Sequence, residues 1–237
     1  MTAAVSRRLE ELAARHALAS GTADALERLL ELLRDDATAP TTVRDPAVAV
    51  DAHVADALVA LELDRVRRAR RIADLGAGAG FPGLVLAAAL PDAEVALVEA
   101  NGRKCLFLAR AAEQMGLANA EIVGARAESW PGGIASCDVV TARAVAPLAV
   151  LVEYAAPLLE VGGTLVAWKG RRDGEEERHG AAAATATGLE PTEVRPVQPW
   201  IGAEHLHLHL YVKVASTPNR FPRRPGMASK RPLRAST

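Results

Sequence analysis

Apolar residues recur at helical spacing in the first quarter of the chain and at strand spacing beyond it. Leu9, Leu12, Ala13 and His16 lie three or four residues apart, as do Leu26, Leu29, Leu30 and Leu33 after a break at Gly21. That period predicts two helices between residues 6 and 33, the second capped by Thr22. Residues 35–46 are polar and contain Pro40 and Pro46, which predicts a loop. A third helix is predicted over residues 48–61.

From residue 66 the pattern changes. Short apolar runs at 71–75, 94–98, 120–123, 138–142 and 163–168 predict strands. Helical stretches at 83–90, 102–115 and 147–159 separate them, and another runs from near 173 to 187. Such alternation predicts βαβ units in a mostly parallel sheet. A last strand covers 205–214, with Leu206, Leu208, Leu210 and Val212 facing one way and His205, His207, His209 and Tyr211 the other. The expected organisation is a helical extension (1–65), an α/β core (66–214) and a tail (215–237), together one compact domain.

Composition narrows this picture. Half the residues are hydrophobic but only 3% are aromatic, so the core must pack through small aliphatic side chains. Cys105 and Cys137 stand alone, as expected of two free thiols in a reducing compartment. No apolar run reaches the ~18 residues of a membrane span. Residues 1–11 carry charges of both signs with no apolar block behind them. The expectation is a soluble, cytoplasmic monomer without a membrane partner. Net charge is −1, yet residues 213–237 hold seven basic residues and no acidic one. A purely basic tail on a neutral protein points to an anionic partner. A solvated tail, or one folded back onto the domain's own acids, is the alternative.

The stretch Asp74-Leu-Gly76-Ala-Gly78-Ala-Gly80-Phe81-Pro82-Gly83 follows a predicted strand and precedes a predicted helix. Glycines there let the backbone turn sharply and approach a ligand, and a helix N-terminus offers N–H groups. Gly78 to Gly83 also spells GxGxxG, which suits nicotinamide and flavin enzymes as well. Two details favour S-adenosylmethionine. Asp74 is a carboxylate where dinucleotide folds carry an apolar residue, suited to an amino-acid ammonium or its ordered water. Glu99 ends the next strand about twenty residues on, placed for ribose hydroxyls. Residues at the other strand ends, Arg126 to Glu128 and Arg143, should line the same pocket. Arg126 with Glu128 also reads as a surface ion pair, and Arg143 as a local cap. His205, His207 and His209 share a strand face, but only Glu204 is near to complete a metal site, so no metal is expected.

Five strings together resemble the RsmG (GidB) family of bacterial small-subunit rRNA methyltransferases: residues 74–83, Arg126-Ala-Glu128, Ala142-Arg-Ala144, Lys169-Gly170 and the tail Arg220-Phe-Pro-Arg-Arg-Pro-Gly-Met-Ala-Ser-Lys-Arg-Pro-Leu233. The segments Arg44-Asp-Pro46 and His53-Val-Ala-Asp56-Ala-Leu58 resemble the loop and helix leading into that family's core. The resemblance implies a class I, Rossmann-like S-adenosylmethionine-dependent methyltransferase with a seven-stranded sheet, helices on both faces and an N-terminal helical extension. It implies methylation of guanine N7 in 16S rRNA of the small ribosomal subunit. Gly76 and Phe81 would border the methyl donor, with Asp74, Gly78, Gly80 and Glu99 in the same site. Ala127 and Glu128 would meet its adenosine part, and Arg143 would sit in the active site near cofactor and target base, as the one catalytic candidate. Arg143 or Lys169 would donate to guanine O6. Arg220, Arg223, Arg224, Lys230, Arg231 and Arg234 would grip phosphates, so Arg223→Ala with Arg224→Ala should weaken RNA binding and spare the cofactor. The alternatives are a nicotinamide-dependent oxidoreductase and a non-catalytic RNA-binding protein on a methyltransferase fold.

Overall fold

The structure, a computed structural model, describes residues 1–235. Helix α1 (Ala3–Arg15) starts at Thr2, whose hydroxyl accepts from the Val5 N–H. Helix α2 (Thr22–Asp35) begins after left-handed Gly21 and has no side-chain cap. Thr22 is therefore not the cap expected from its position. It lies buried inside the helix and donates to the Ala88 carbonyl at 3.3 Å, tying α2 to the core.

Arg44 closes the other end of α2, donating to the carbonyls of Leu33, Arg34 and Asp36. That clamp orients the next helical stretch. Asp45 caps α3 (Pro46–Ala49), which continues through a π-helical segment (Val50–Ala55), α4 (Asp56–Leu58) and a 3₁₀ turn (Val59–Glu62). The long π turn moves His53 and Asp56 out of ordinary helical register, a distortion frequent at functional sites. The short α5 (Asp64–Arg67) leads into the sheet.

The core runs β1 (Arg71–Leu75), α6 (Gly83–Ala89), β2 (Glu94–Val98), α7 (Gly102–Met115), β3 (Ala120–Val123), β4 (Cys137–Arg143), α8 (Leu148–Ala155), β5 (Leu159–Lys169), α9 (Gly174–Thr187), β6 (Leu189–Val197) and β7 (Leu206–Lys213). Strand order is β3-β2-β1-β4-β5-β7-β6, with β7 antiparallel to both neighbours. Because β1 pairs with β2 on one side and β4 on the other, the chain switches direction across the sheet at that point. Ligands of open α/β sheets bind there, at the carboxyl ends of the strands.

One strand is absent from the apolar pattern. β6 carries Pro191 and Pro196, is mostly exposed, and shifts register between Pro191 and Glu193. An edge strand tolerates proline and needs no apolar alternation, so nothing in its composition announces it. β5 also starts earlier than predicted, because Leu159 pairs with Cys137 ahead of a register shift.

The sheet has a core on each face. Leu9, Leu12, Leu26, Leu29 and Leu33 pack with Leu84, Leu86 and Phe107 on one side, so the N-terminal helices complete the core. Leu148, Leu151 and Val152 of α8 and Ala183 and Ala184 of α9 cover the other. His209 and Tyr211 lie buried on the α9 side. His207 meets the Gly170 carbonyl, and no metal-holding group of His, Cys, Asp or Glu occurs among the described residues. Cys105 and Cys137 are free thiols, and no helix among the described residues is long and apolar enough to cross a membrane.

Candidate active site

The loop after β1 turns through three left-handed glycines, Gly76 (φ 65°), Gly78 (φ 59°) and Gly80 (φ 94°). A Cβ on Gly76 would fall 2.8 Å from Val145 Cγ2, so glycine keeps the tip of β1 apart from the β4–α8 connection. The space between is a cavity of about 200 Å³ bordered by Gly76, Glu99, Ala127, Glu128, Val145, Tyr154 and Ser229. Glu99 is almost fully buried. One of its oxygens accepts from the Gly78 N–H at 3.2 Å and the other from Asn101 N–H at 2.8 Å. Both bonds are to loop amides, so the carboxylate is locked in one orientation at the cavity edge.

Asp74 plays a different part from the one expected. Its side chain lies beneath the loop, 1% exposed, and accepts from the Gly83 N–H at 2.9 Å and the Thr141 hydroxyl at 2.8 Å. It does not border the 200 Å³ cavity. The Gly83 N–H at the start of α6 points inward to it, so that helix end is satisfied by the protein itself. Asp74 thus ties β1, β4 and α6 together under the glycine loop.

Burial pushes the Asp74 carboxyl up to about 7. An acid whose folded pKa exceeds its unfolded value adds stability below about pH 4, and that contribution is lost as pH rises through 7. Asp74→Asn is expected to remove this downward slope. His16 and His53, each lowered to about 4 chiefly by burial, act in the opposite sense and are common to both proteins. Urea melts at pH 5 and pH 8 check this, and an identical pH change in the two proteins contradicts it.

Across the loop, Arg143 at the end of β4 is held by the N-terminal helical stretch. Its Nη1 donates to Asp56 Oδ2 at 2.6 Å and to the Ala52 carbonyl at 3.1 Å, and its Nη2 lies 3.2 Å from His53 Nδ1. The low His53 pKa means a neutral ring, so Nδ1 accepts from Arg143 and Nε2–H donates to Thr41 Oγ1 at 3.1 Å. The His53 ring stacks on Phe81 with centroids 4.5 Å apart, and the guanidinium lies over the same ring at 5.4 Å. Phe81, Gly78, Gly80, Asp74 and Arg143 therefore stand behind or beside the 200 Å³ cavity, while Gly76, Glu99, Ala127 and Glu128 border it.

A second cavity, of about 270 Å³, is bordered by the start of the Arg143–Ala146 segment. Arg143 and Ala144 border this one, and Val145 and Ala146 the first. Ala144 takes the left-handed conformation (φ 56°), which turns the chain between them. Trp168, Lys169, Leu206 and Asp56 complete the second wall. Lys169 is not free there, since its ammonium pairs with Glu176 at 2.6 Å.

The tail folds back. Arg223 pairs with Glu153 of α8, the Gly226 N–H donates to Glu128, and Ser229 meets the Tyr154 hydroxyl at 3.0 Å. Ser229 lies in α10 (Met227–Lys230) and borders the first cavity. Glu128 is thus bonded to the tail and not to Arg126. Lys213 is buried and donates to the Ala156 and Leu159 carbonyls. Arg220, Arg224, Lys230, Arg231 and Arg234 are exposed and form no ion pair among the described residues. His53, Asp56, Tyr154, Trp168, Leu206 and Ser229 had no site role in the sequence pattern. The signal for His53 and Asp56 was the segment His53-Val-Ala-Asp56-Ala-Leu58, and for Ser229 the tail string, each of which resembles the family without assigning these residues a role.

Comparison with known proteins agrees with this architecture. Residues 24–206 match the GidB family model, described as rRNA small subunit methyltransferase G. The chain is 41% identical over 197 residues to a ribosomal RNA small subunit methyltransferase G of Rubrobacter xylanophilus, covering 81% of this chain and 76% of that one. It is 41% identical over 196 residues to the protein of the same name from Chloroflexus aggregans, covering 81% and 82%. Among solved structures, a predicted O-methyltransferase from Agrobacterium tumefaciens superposes with a TM-score of 0.53 at 26% identity, covering 70% of this chain and 81% of that one. A 1,6-didemethyltoxoflavin-N1-methyltransferase from Burkholderia thailandensis, solved with S-adenosylhomocysteine, shares the fold with a TM-score of 0.54 at 17% identity, over 78% and 88% of the two chains. A Rossmann-like methyltransferase sheet, a glycine loop at its switch point and these close relatives agree: the chain belongs to the rRNA small subunit methyltransferase G (GidB) family.

Proposed function

We propose that the protein transfers a methyl group from S-adenosylmethionine to N7 of a guanine in 16S rRNA, acting as a cytoplasmic monomer on the small ribosomal subunit. The observation that carries this reading is the pair of cavities bordered by consecutive residues of the Arg143–Ala146 segment. One suits the cofactor and the other a flat base, and because both are bordered by this one short segment the methyl carbon and N7 can come into direct contact beside it. Family membership removes the nicotinamide oxidoreductase from consideration.

The residues of the first cavity fit the cofactor. Glycine backbone at Gly76 leaves room against β1, and Glu99 offers a fixed carboxylate to ribose hydroxyls. Ala127 and Glu128 flank the place for the adenine. When bound, S-adenosylmethionine supplies an electrophilic sulfonium methyl. Guanine N7 carries its own lone pair, so no residue needs to remove a proton. The protein's task is alignment and exclusion of water, and Arg143, held by three protein acceptors, is a rigid positioning group at the border of the second cavity. Exposed Arg220, Arg224, Lys230 and Arg231 supply phosphate contacts around the opening, and Lys169 sits deeper, beside the base.

Purified protein incubated with labelled S-adenosylmethionine and unmodified small subunits is expected to label 16S rRNA, and nuclease digestion should yield 7-methylguanosine as the labelled nucleoside. Naked 16S rRNA run in parallel tells whether assembly is required. Label confined to ribosomal protein, or to another nucleoside, contradicts the proposal.

A further inference from the structure

The Asp56 carboxylate is half used. Its Oδ2 takes the Arg143 bond at 2.6 Å, whereas Oδ1 takes none among the described residues. No fully buried side-chain nitrogen or oxygen among the described residues lacks a partner, so Oδ1 keeps some exposure, and Asp56 borders the second cavity. The main chain of Asp56 is fixed by the Trp168 indole N–H, which donates to its carbonyl at 2.9 Å. The carboxylate is thus a rigid acceptor presented to the second cavity, between Trp168 and Leu206.

Its position relative to the first cavity is informative. Asp56 meets the far end of the Arg143 side chain, so it stands one arginine length from the backbone that borders both cavities. N7 and N1 lie on adjacent edges of a purine, on either side of the C6 substituent, so a base offering N7 beside that backbone can offer its N1 edge to another wall of the same cavity. Guanine carries a hydrogen on N1, and adenine carries a lone pair there.

We propose that Asp56 is the specificity-determining residue of the acceptor site, its Oδ1 accepting the N1–H of guanine. This rests on the reading that the second cavity takes the acceptor base. Adenine in the same pose would set its N1 lone pair against the carboxylate and leave both acceptors unpaired, which a dry site rejects strongly. Pyrimidines have no N7 to present. Arg143 then serves two purposes through one bond. It neutralises Asp56, and it orients Oδ1 by occupying Oδ2.

The test uses small subunits carrying guanine or 1-methylguanine at the acceptor position, with full-length wild type and Asp56→Ala. Wild type is expected to lose about 100-fold or more in kcat/KM on 1-methylguanine, in which the N1–H is replaced. Asp56→Ala is expected to be slowed on guanine by about 10- to 100-fold and to treat the two bases alike. A merely structural role for Asp56 lowers both rates and leaves their ratio unchanged, which overturns the proposal. Equal wild-type rates on the two bases overturn it without any variant, so a poorly folding Asp56→Ala does not shelter it. Asp56→Asn offers a second check. Its amide can donate to adenine N1, so the guanine-to-adenine preference should fall, and an undiminished preference counts against the assignment. Wild type that labels no rRNA guanine defeats the functional reading and this inference together. Wild type that labels guanine, with an Asp56→Ala ratio unchanged, defeats this inference alone.

Discussion

Gly80→Ala is expected to abolish measurable S-adenosylmethionine binding and to destabilise the protein by about 2–5 kcal/mol. Gly80 has φ 94°, where an L-residue incurs roughly 1–2 kcal/mol. Its new methyl would sit 2.7 Å from Leu84 Cγ and closer still to Leu84 Cδ1. Leu84 is completely buried against the N-terminal helices and has nowhere to go, so overpacking adds about 1–3 kcal/mol. The strain can be relieved only by moving the loop, and that would pull the Gly78 N–H away from Glu99. Gly102→Ala is the control, since a Cβ there meets nothing within 4 Å. Calorimetric titration with the cofactor and thermal melts check both variants, and a Gly80→Ala protein that binds like wild type contradicts the role given to the loop.

Arg223→Ala and Arg224→Ala should behave as opposites, although they are neighbours of the same charge. Arg223 Nε and Nη2 grip the two oxygens of Glu153 at 2.6 and 2.5 Å, and Nη2 also donates to the Arg231 carbonyl. The Glu153 side chain is 2% exposed, so removing its partner leaves a buried carboxylate unpaired. Such breaks cost about 3–5 kcal/mol, or roughly 6–20 °C in Tm for a chain of this size. The tail so released carries Gly226 and Ser229 away from Glu128 and Tyr154, opening one side of the cavity proposed for the cofactor. Arg223→Ala is therefore expected to weaken cofactor binding as well as RNA binding. Arg224 is exposed and unpaired among the described residues. Its loss should leave Tm and cofactor affinity unchanged and reduce the salt slope of RNA binding by about one charge. Equal effects of the two substitutions on Tm contradict this division. The sequence pattern treats both arginines as phosphate contacts, because it contains nothing that distinguishes one from the other.

Much of the fold was legible because it depends on local periodicity. Leucines at three- and four-residue spacing mark α1 and α2, and apolar runs between helices mark the first five strands. The glycine loop was legible for a related reason: left-handed turns favour glycine, so Gly76, Gly78 and Gly80 record backbone geometry directly in residue identity. β6 was not legible, since an antiparallel edge strand with two prolines follows no apolar rule. Asp74 was seen as part of the site but misplaced within it, because position along a strand does not say whether a side chain points up to the ligand or down beneath the loop.

The chain order alone therefore settles the class of fold, the place of the glycine loop and the family, all of which rest on neighbours a few residues apart. The partnerships that make the site span much greater separations. Arg143 reaches Asp56 across 87 positions, Arg223 reaches Glu153 across 70, and Gly226 reaches Glu128 across 98. A charge in the sequence has no assigned partner until packing decides how far it is desolvated and which opposite charge lies within reach. Packing is what makes Asp56 a rigid acceptor, Arg143 a fixed group at the border of the second cavity, and one of two adjacent tail arginines a structural clamp.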